Sequence, residues 1–528
     1  MTPALRFLST RSSISRLGVP MSVNATSNLA PGPYAGWTRE RLIERLMQLE
    51  CPAQERDVTT GPLPSTMALP TKPEGSFDFS KHPRRKIALK FCYSGWEYSG
   101  LAHQMGPSPL PTVENVLFDS MAKAHLVDPT AGLDGCGWEK CGRTDRGVSA
   151  AGQVISLWIR SQICPSIEGQ AEEDTAVEEL DKGVSEVLTD DAFGALSLDT
   201  DPTSTFTSQT KVLKPNQEID YLNVLNRLLP DTIRIIAWSP VSDTFSARFS
   251  CKYRHYKYFF SSLNLDIPRM QAAVTRLLGE HDFRNLSKLD AQKQLTSFRR
   301  KIVRASITPL CETDNDGQDK MYVFDLVGTA FLYHQVRHIM AALFLVGSGS
   351  EPPEIITELM NVDAGAEPMR AEDVARGAPY AVVDSKPDYQ MADALPLMLW
   401  ECGYDESELD WRTCGRTTSK GDLYQQLRGI YTRSRVYSVL DQHFMTAVAA
   451  HHPPPSENGA QQLDDKPARE RVINVPLGGG TFKRLQKYKP LLERPRLDTV
   501  EVMNERWRLG KGSRRDARKV AAIADNDE

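Results

Sequence analysis

The chain has 528 residues, 40% of them hydrophobic and 25% charged, with a net charge of −5. That length suggests about two to four domains, and the balance excludes a wholly disordered or fibrous chain. No run of about 18 uncharged apolar residues occurs, so no membrane-spanning helix is expected.

Residues 1–36 hold Arg6, Arg11 and Arg16 and no acid. That composition fits a mitochondrial targeting segment and equally a disordered N-terminus. Over 37–50, Leu42, Leu46 and Leu49 share one face of a short helix, fit for docking or for lying on a surface. Residues 51–85 read as a linker, and folded structure is expected from Lys86. In Lys86–Tyr93, Ile87, Leu89 and Phe91 alternate as in a strand. Pro111–Val127 reads as a helix, with Val113, Leu117 and Met121 four residues apart, and Gln153–Arg160 as a strand.

The stretch 162–214 reads as an inserted disordered loop. Residues 161–210 contain twelve acids against Lys182 alone, or −11, which leaves the remainder at +6. An RNA-binding face is therefore compatible with the acidic sum. Asn216–Leu229 and Pro268–Leu278 have helical spacing. Ile233–Trp238, Tyr256–Ser261, Arg300–Ile307 and Met321–Val327 have strand character, and Phe331–Val346 reads as a largely buried helix. This irregular order indicates an α+β fold. Residues 363–400 thin into Pro- and Asp-containing segments, 401–450 form a helical extension, and 451–528 read as a mostly disordered basic tail ending in Lys511, Arg514, Arg515, Arg518 and Lys519. Nine cysteines without a secretory signal read as free thiols.

Three segments can carry chemistry. In Cys141–Gln153 (CGRTDRGVSAAGQ), glycines permit tight backbone turns around Arg143, Thr144, Asp145 and Arg146. The segment precedes a strand, so Asp145 is expected on a loop at a sheet edge. A carboxylate flanked by two arginines is expected to be anionic and able to act as nucleophile or base. A turn held by a structural Asp–Arg pair is the other reading. In Arg248–Phe260 (RFSCKYRHYKYFF), aromatics interleave with Arg248, Lys252, Arg254, His255 and Lys257. Flat rings can stack on unpaired bases while cations meet phosphates; an ordinary amphipathic strand fits equally. In Gly328–Gly347, a single arginine, Arg337, sits in an apolar helix. It needs a carboxylate partner, for which Asp145 is the candidate. His334 and His338 are spaced as a metal pair but lack a third ligand nearby, and Cys136 with Cys141 lacks a second cysteine pair, so no metal site is expected. Phosphate-loop, dinucleotide-binding and serine-hydrolase motifs are absent.

These segments together resemble the TruA-type tRNA pseudouridine synthases. GRTDRGVSAAGQV is similar to their catalytic motif, KIALKFCYSGWEYSG to their opening strand, RFSCKYRHYKYFF to their tyrosine-bearing strand, and GTAFLYHQVRHIMAALFLVG to their late arginine-bearing helix, all in family order over about 86–400. FCYSGWEYSGLAHQ, the stretch His281–Asp290, and Tyr488–Trp507 resemble the eukaryotic branch acting at tRNA positions 38 and 39. The resemblance implies a pseudouridine synthase fold of two similar antiparallel-sheet halves around a cleft. It implies Asp145 as nucleophile, Arg337 as its partner, and Tyr256 stacked on the target base with Tyr258 beside it. Arg143, Arg146, Arg248, Lys252 and Tyr258 are then expected to contact substrate. The implied reaction needs no cofactor. The implied partners are a tRNA anticodon stem-loop and a second copy of the chain, without a membrane. The implied location is nucleus and cytoplasm, with mitochondria open from the N-terminal composition. A relative acting on other tRNA, snRNA or mRNA uridines, and a non-catalytic tRNA-binding or folding protein, are the other readings.

Overall fold

A computed structural model describes residues 77–104, 106, 108–163, 218–310, 320–413, 423–453 and 473–514. The targeting segment, the 37–50 helix, most of the 51–85 linker and nearly all of the acidic insert lie outside the described residues.

The architecture is α+β, built on one mixed sheet. Its strands are β1 (Arg84–Tyr93), β2 (Glu139–Lys140), β3 (Ser149–Arg160), β4 (Ile233–Pro240), β5 (Tyr253–Ser261), β6 (Gly279–Asp282), β7 (Arg299–Pro309), β8 (Met321–Gly328) and β9 (Leu397–Gly403). They lie in the order β4-β1-β3-β9-β5-β8-β7-β6, with β2 on β3. Every pairing is antiparallel except the central one, where β3 runs parallel to β9 through Ser149–Met398 and Ala150–Leu399.

The helices start where side chains can take orphan backbone donors. Thr112 caps α1 (Val113–Lys123), Asp220 caps α2 (Tyr221–Leu228), and Asp266 caps α3 (Ile267–Thr275), which has Pro268 in its first turn. Helix α4 (Gln335–Gly347) starts later than the expected Phe331, because the chain turns through His334 in a left-handed conformation at φ 58°. Nearly every α4 residue is buried. Each large apolar side chain there contributes about 1.5–3 kcal/mol. Two hydrophobic cores result. Helices α1 and α2 pack with β1, β3 and β4 in one; α3, α4 and the short α5 (Ile355–Met360) pack with β5, β7 and β8 in the other. Tyr256 packs against both.

Two expectations need correction. The thinned-out stretch 363–400 contains α5's neighbours and then β9, which runs past the expected domain end at 400 to Gly403. The extension 401–450 does contain a helix, α6 (Leu423–Ala449), whose residues are all unburied. The tail from 473 is folded, not disordered. It forms the hairpin β10 (Ile473–Gly478) and β11 (Thr481–Leu485) and helix α7 (Val500–Trp507). Val475, Leu491 and Val500 bury themselves in the second core, which gives this charged segment its apolar anchor. Residues 454–472 and 515–528 lie outside the described set.

Candidate active site

The loop between β2 and β3 carries Asp145, and it is held on all sides. The Gln153 side-chain amide donates to Gly142 O (2.9 Å), and Arg254 Nη2 to Cys141 O (3.1 Å). The Tyr93 hydroxyl lies 2.6 Å from Thr144 Oγ1, and Leu101 N donates to Thr144 O. Val148 N closes a turn onto Asp145 O, with Gly147 at φ +85°, a conformation suited to glycine. Gly100 passes so close that a Cβ there would sit 3.1 Å from Thr144 O. The expected sheet-edge location is wrong: β3 is central, so the loop opens where the parallel β3–β9 pair meets β5.

The Asp145 side chain is 26% exposed and faces the start of α4. His334 Nε2 lies 3.1 Å from its Oδ2, and Arg337 Nη1 lies 3.9 Å from the same atom. Arg337, only 12% exposed, donates from Nε to Ala392 O at 2.8 Å. The charge in this apolar helix is thus answered by a carbonyl and a carboxylate. The sequence neighbours Arg143 and Arg146 are exposed, and among the described residues neither pairs with Asp145. Flanking in sequence does not become flanking in space: Arg146 sits within the turn closed by Val148 N on Asp145 O, and Arg143 is exposed on the other side of the buried Thr144.

Sheet register brings Tyr256 to this loop. Ala150, at the loop's end, pairs with Leu399, and Leu399 pairs with Tyr256. The Tyr256 ring is partly buried, edge-on to Phe331 with centroids 5.0 Å apart. Burial holds its hydroxyl proton far above the ordinary tyrosine range, and the nearby Asp145 charge adds to this. Tyr256 is therefore a neutral phenol at physiological pH. Tyr258 does not fit the expected substrate contact. It is fully buried and donates to Asp393 O (3.1 Å) and Leu477 O (3.3 Å), beneath the C-terminal hairpin. Arg248 and Lys252 are exposed, and Arg248 lies over the ring of Phe249, itself open to solvent.

Two functional candidates escaped the sequence. His334, first weighed as half of a metal pair, points at Asp145. His338 instead faces Lys386, whose ammonium nitrogen is 3.0 Å from its Nε2. Burial and the lysine charge push the His338 pKa down to about 2, and burial pushes that of Lys386 down to about 7. Tyr333, 39% exposed, leans on the His334 ring at 3.8 Å, with the Lys288 and Lys293 ammoniums 5.5 and 4.8 Å from its own ring. The phrase AFLYHQVR carried the signal, but only the left-handed turn at His334 aims it. Among the described residues, no group of three or more His, Cys, Asp or Glu could hold a metal ion.

A carboxylate, a guanidinium and an imidazole thus converge beside a tyrosine face at the centre of the sheet. Such a set can present a negative oxygen to an electrophilic carbon next to a flat ring. Residues 273–405, which include Arg337 and β9, match a family described as tRNA pseudouridine synthase. The chain is 35% identical to the tRNA pseudouridine(38/39) synthase of Saccharomyces cerevisiae, over 94% of this chain and 96% of that protein. It is 32% identical to the human tRNA pseudouridine(38/39) synthase, over 88% and 86%. An archaeal tRNA pseudouridine synthase A, from Methanothrix thermoacetophila, is 30% identical over 62% of this chain and 85% of its own length. Similarity that runs nearly end to end, through both the Asp145 loop and the Arg337 helix, makes this chain a member of the tRNA pseudouridine synthase family.

Proposed function

We propose that this protein isomerises uridine to pseudouridine in the anticodon arm of tRNA, at positions 38 and 39, with Asp145 as the reacting carboxylate. The observation that carries the residue assignment is the meeting of Asp145 with His334 and Arg337, 3.1 and 3.9 Å from one carboxylate oxygen, next to Tyr256. The position assignment rests on the names of the yeast and human relatives.

The reaction detaches uracil from the ribose C1′, turns it, and rejoins it through C5. Bringing a stacked base out of the anticodon arm costs a few kcal/mol. Stacking on Tyr256 returns about 1–3 kcal/mol. The Asp145 carboxylate then acts at the glycosidic carbon, with Arg337 and His334 fixing its direction. A neutral Tyr256 can donate a hydrogen bond to the base but is not a phenolate base, so the proton leaving C5 needs another acceptor or a transient relay. The two hydrophobic cores support a reading in which the nucleotide enters a cleft between two halves of the sheet. The unburied apolar side chains of α6, including Leu427, Tyr437, Leu440 and Phe444, support a second copy of the chain as partner.

Asp145→Ala tests the assignment. Pseudouridine formation in unmodified tRNA transcript should fall by roughly a thousandfold or more, while tRNA affinity should stay within about threefold. Continued turnover by that variant removes Asp145 from the chemistry.

A further inference from the structure

A concave pocket of about 230 Å³ lies between α4 and the C-terminal hairpin. Ala341 and Leu345 line it from the helix. They follow Arg337 at four and eight residues, so all three share one side of α4, with a rise of about 6 Å per step. The opposite wall carries Lys483, Lys487, Lys489 and Arg494 against one acid, Asp388. No ion pair involves the three lysines among the described residues. They are exposed, and no secondary-structure or core contact needs their charge.

The wall is fixed to the active site by short links. Arg337 exchanges hydrogen bonds with Ala392, accepting from its N–H at 3.1 Å and donating to its carbonyl at 2.8 Å. The next residue, Asp393, donates from its N–H to Leu477 O in the hairpin at 2.7 Å. Beyond the hairpin, Glu351 accepts from Tyr488 (2.5 Å) and from Leu491 N (2.6 Å), and Arg494 Nε donates to Lys489 O at 2.8 Å. Unpaired cations are thus presented on a folded segment that is hydrogen-bonded, through Ala392 and Asp393, to the arginine that pairs with Asp145.

We propose that this wall is a second RNA contact, with Lys483, Lys487 and Lys489 taking backbone phosphates on one flank of the target nucleotide. The inference rests on the RNA-substrate reading above. Positive charge on a concave surface tied to the Arg337 helix suits a polyanion that must be held while one base is drawn out. Each phosphate met by a lysine releases condensed counterions and steepens the dependence of binding on salt.

The test uses the full chain with the triple substitution Lys483→Ala, Lys487→Ala, Lys489→Ala, and a charge-retaining triple Lys→Arg variant. Binding of an unmodified tRNA transcript is measured across a salt series, alongside steady-state kinetics and thermal melting. For the alanine variant, we expect affinity at low salt to weaken by about tenfold or more, and the log–log salt slope to become shallower by about two. KM should rise with it, kcat should fall by less than about threefold, and the arginine variant should recover most of the binding. An alanine variant with wild-type slope and KM overturns the inference while leaving the RNA-modifying reading intact. So does an arginine variant as weak as the alanine one, which indicates a structural role. A wild-type protein that converts no uridine and binds no tRNA overturns both.

Discussion

Asp145 Oδ2 has two suitors, and the nearer is an imidazole. His334 reaches it from a left-handed position at the head of α4, where few side chains other than glycine are comfortable. We predict that His334→Ala lowers kcat by roughly 10–100-fold with little change in KM, because the carboxylate keeps its charge but loses its direction. A kcat within about twofold of wild type excludes that positioning role. Lys386 makes a separate prediction. Its amine is buried beside His338, donates to Ser287 O, and has its pKa pushed down to about 7. The unfolded chain binds that proton up to the ordinary lysine range, whereas the folded protein releases it from about pH 7 upward. Folding is therefore opposed by the buried charge below that pH, and stability rises as pH climbs from about 7 toward 10. Lys386→Met should flatten this rise in urea midpoints measured between about pH 6 and 9; an unchanged slope refutes it.

Most elements were legible from their apolar spacing. β1, β3, β4, β5, β7 and β8 are short apolar or aromatic-rich runs that mark themselves as strands, several of them buried nearly throughout, and the helix bearing Arg337 is too apolar to lie anywhere but in a core. β9 did not mark itself: Leu397 and Leu399 are buried, but Trp400 is an extra residue where the pairing shifts opposite His255 and Tyr256, and it breaks the alternation of β9 itself. The folded tail was hidden by its own lysines, since a few buried residues such as Val475 and Leu491 anchor a segment whose composition is otherwise polar. The Asp145 loop was legible as a reactive segment, and so was Arg337 as its partner, because a lone charge in an apolar helix demands a carboxylate; His334 was not legible, and Arg143 and Arg146, adjacent in sequence, lead to solvent. The ends of the acidic insertion support a prediction at this scale. Gln162 N donates to Glu218 Oε1 (3.0 Å), Ser161 Oγ to Glu218 Oε2 (2.7 Å), and Arg85 pairs with the same carboxylate (2.9 Å). The chain thus leaves and re-enters the fold at nearly one point. Replacing residues 168–212 with a short Gly/Ser linker should leave melting temperature and tRNA turnover close to wild type; loss of folded protein refutes it.

Among the described residues, α6 is the longest helix and none of its side chains is buried. Tyr437, Leu440 and Phe444 stand 45–63% exposed on a helix of 27 residues with no buried side chain. Apolar exposure on that scale fits the second copy proposed above as its partner. If two copies meet there, light scattering should give about twice the 59.0 kDa chain mass, and Leu440→Glu with Phe444→Glu should return it to one without loss of the melting transition. A wild-type protein that stays at one chain mass rejects the dimer.

The central position of β9 has a consequence for how the enzyme comes into being. On the ribosome, the strands on either side of it emerge first, and the strand that bridges them is made last of the nine. A nascent chain ending before Leu397 already owns Asp145, Tyr256 and Arg337, yet lacks the strand whose backbone hydrogen bonds join β3 to β5. Such a truncated product would carry two hydrophobic bodies with raw strand edges, a target for chaperones and proteases rather than a weak enzyme. Competence should therefore switch on abruptly, late in translation, once Gly403 has cleared the exit tunnel.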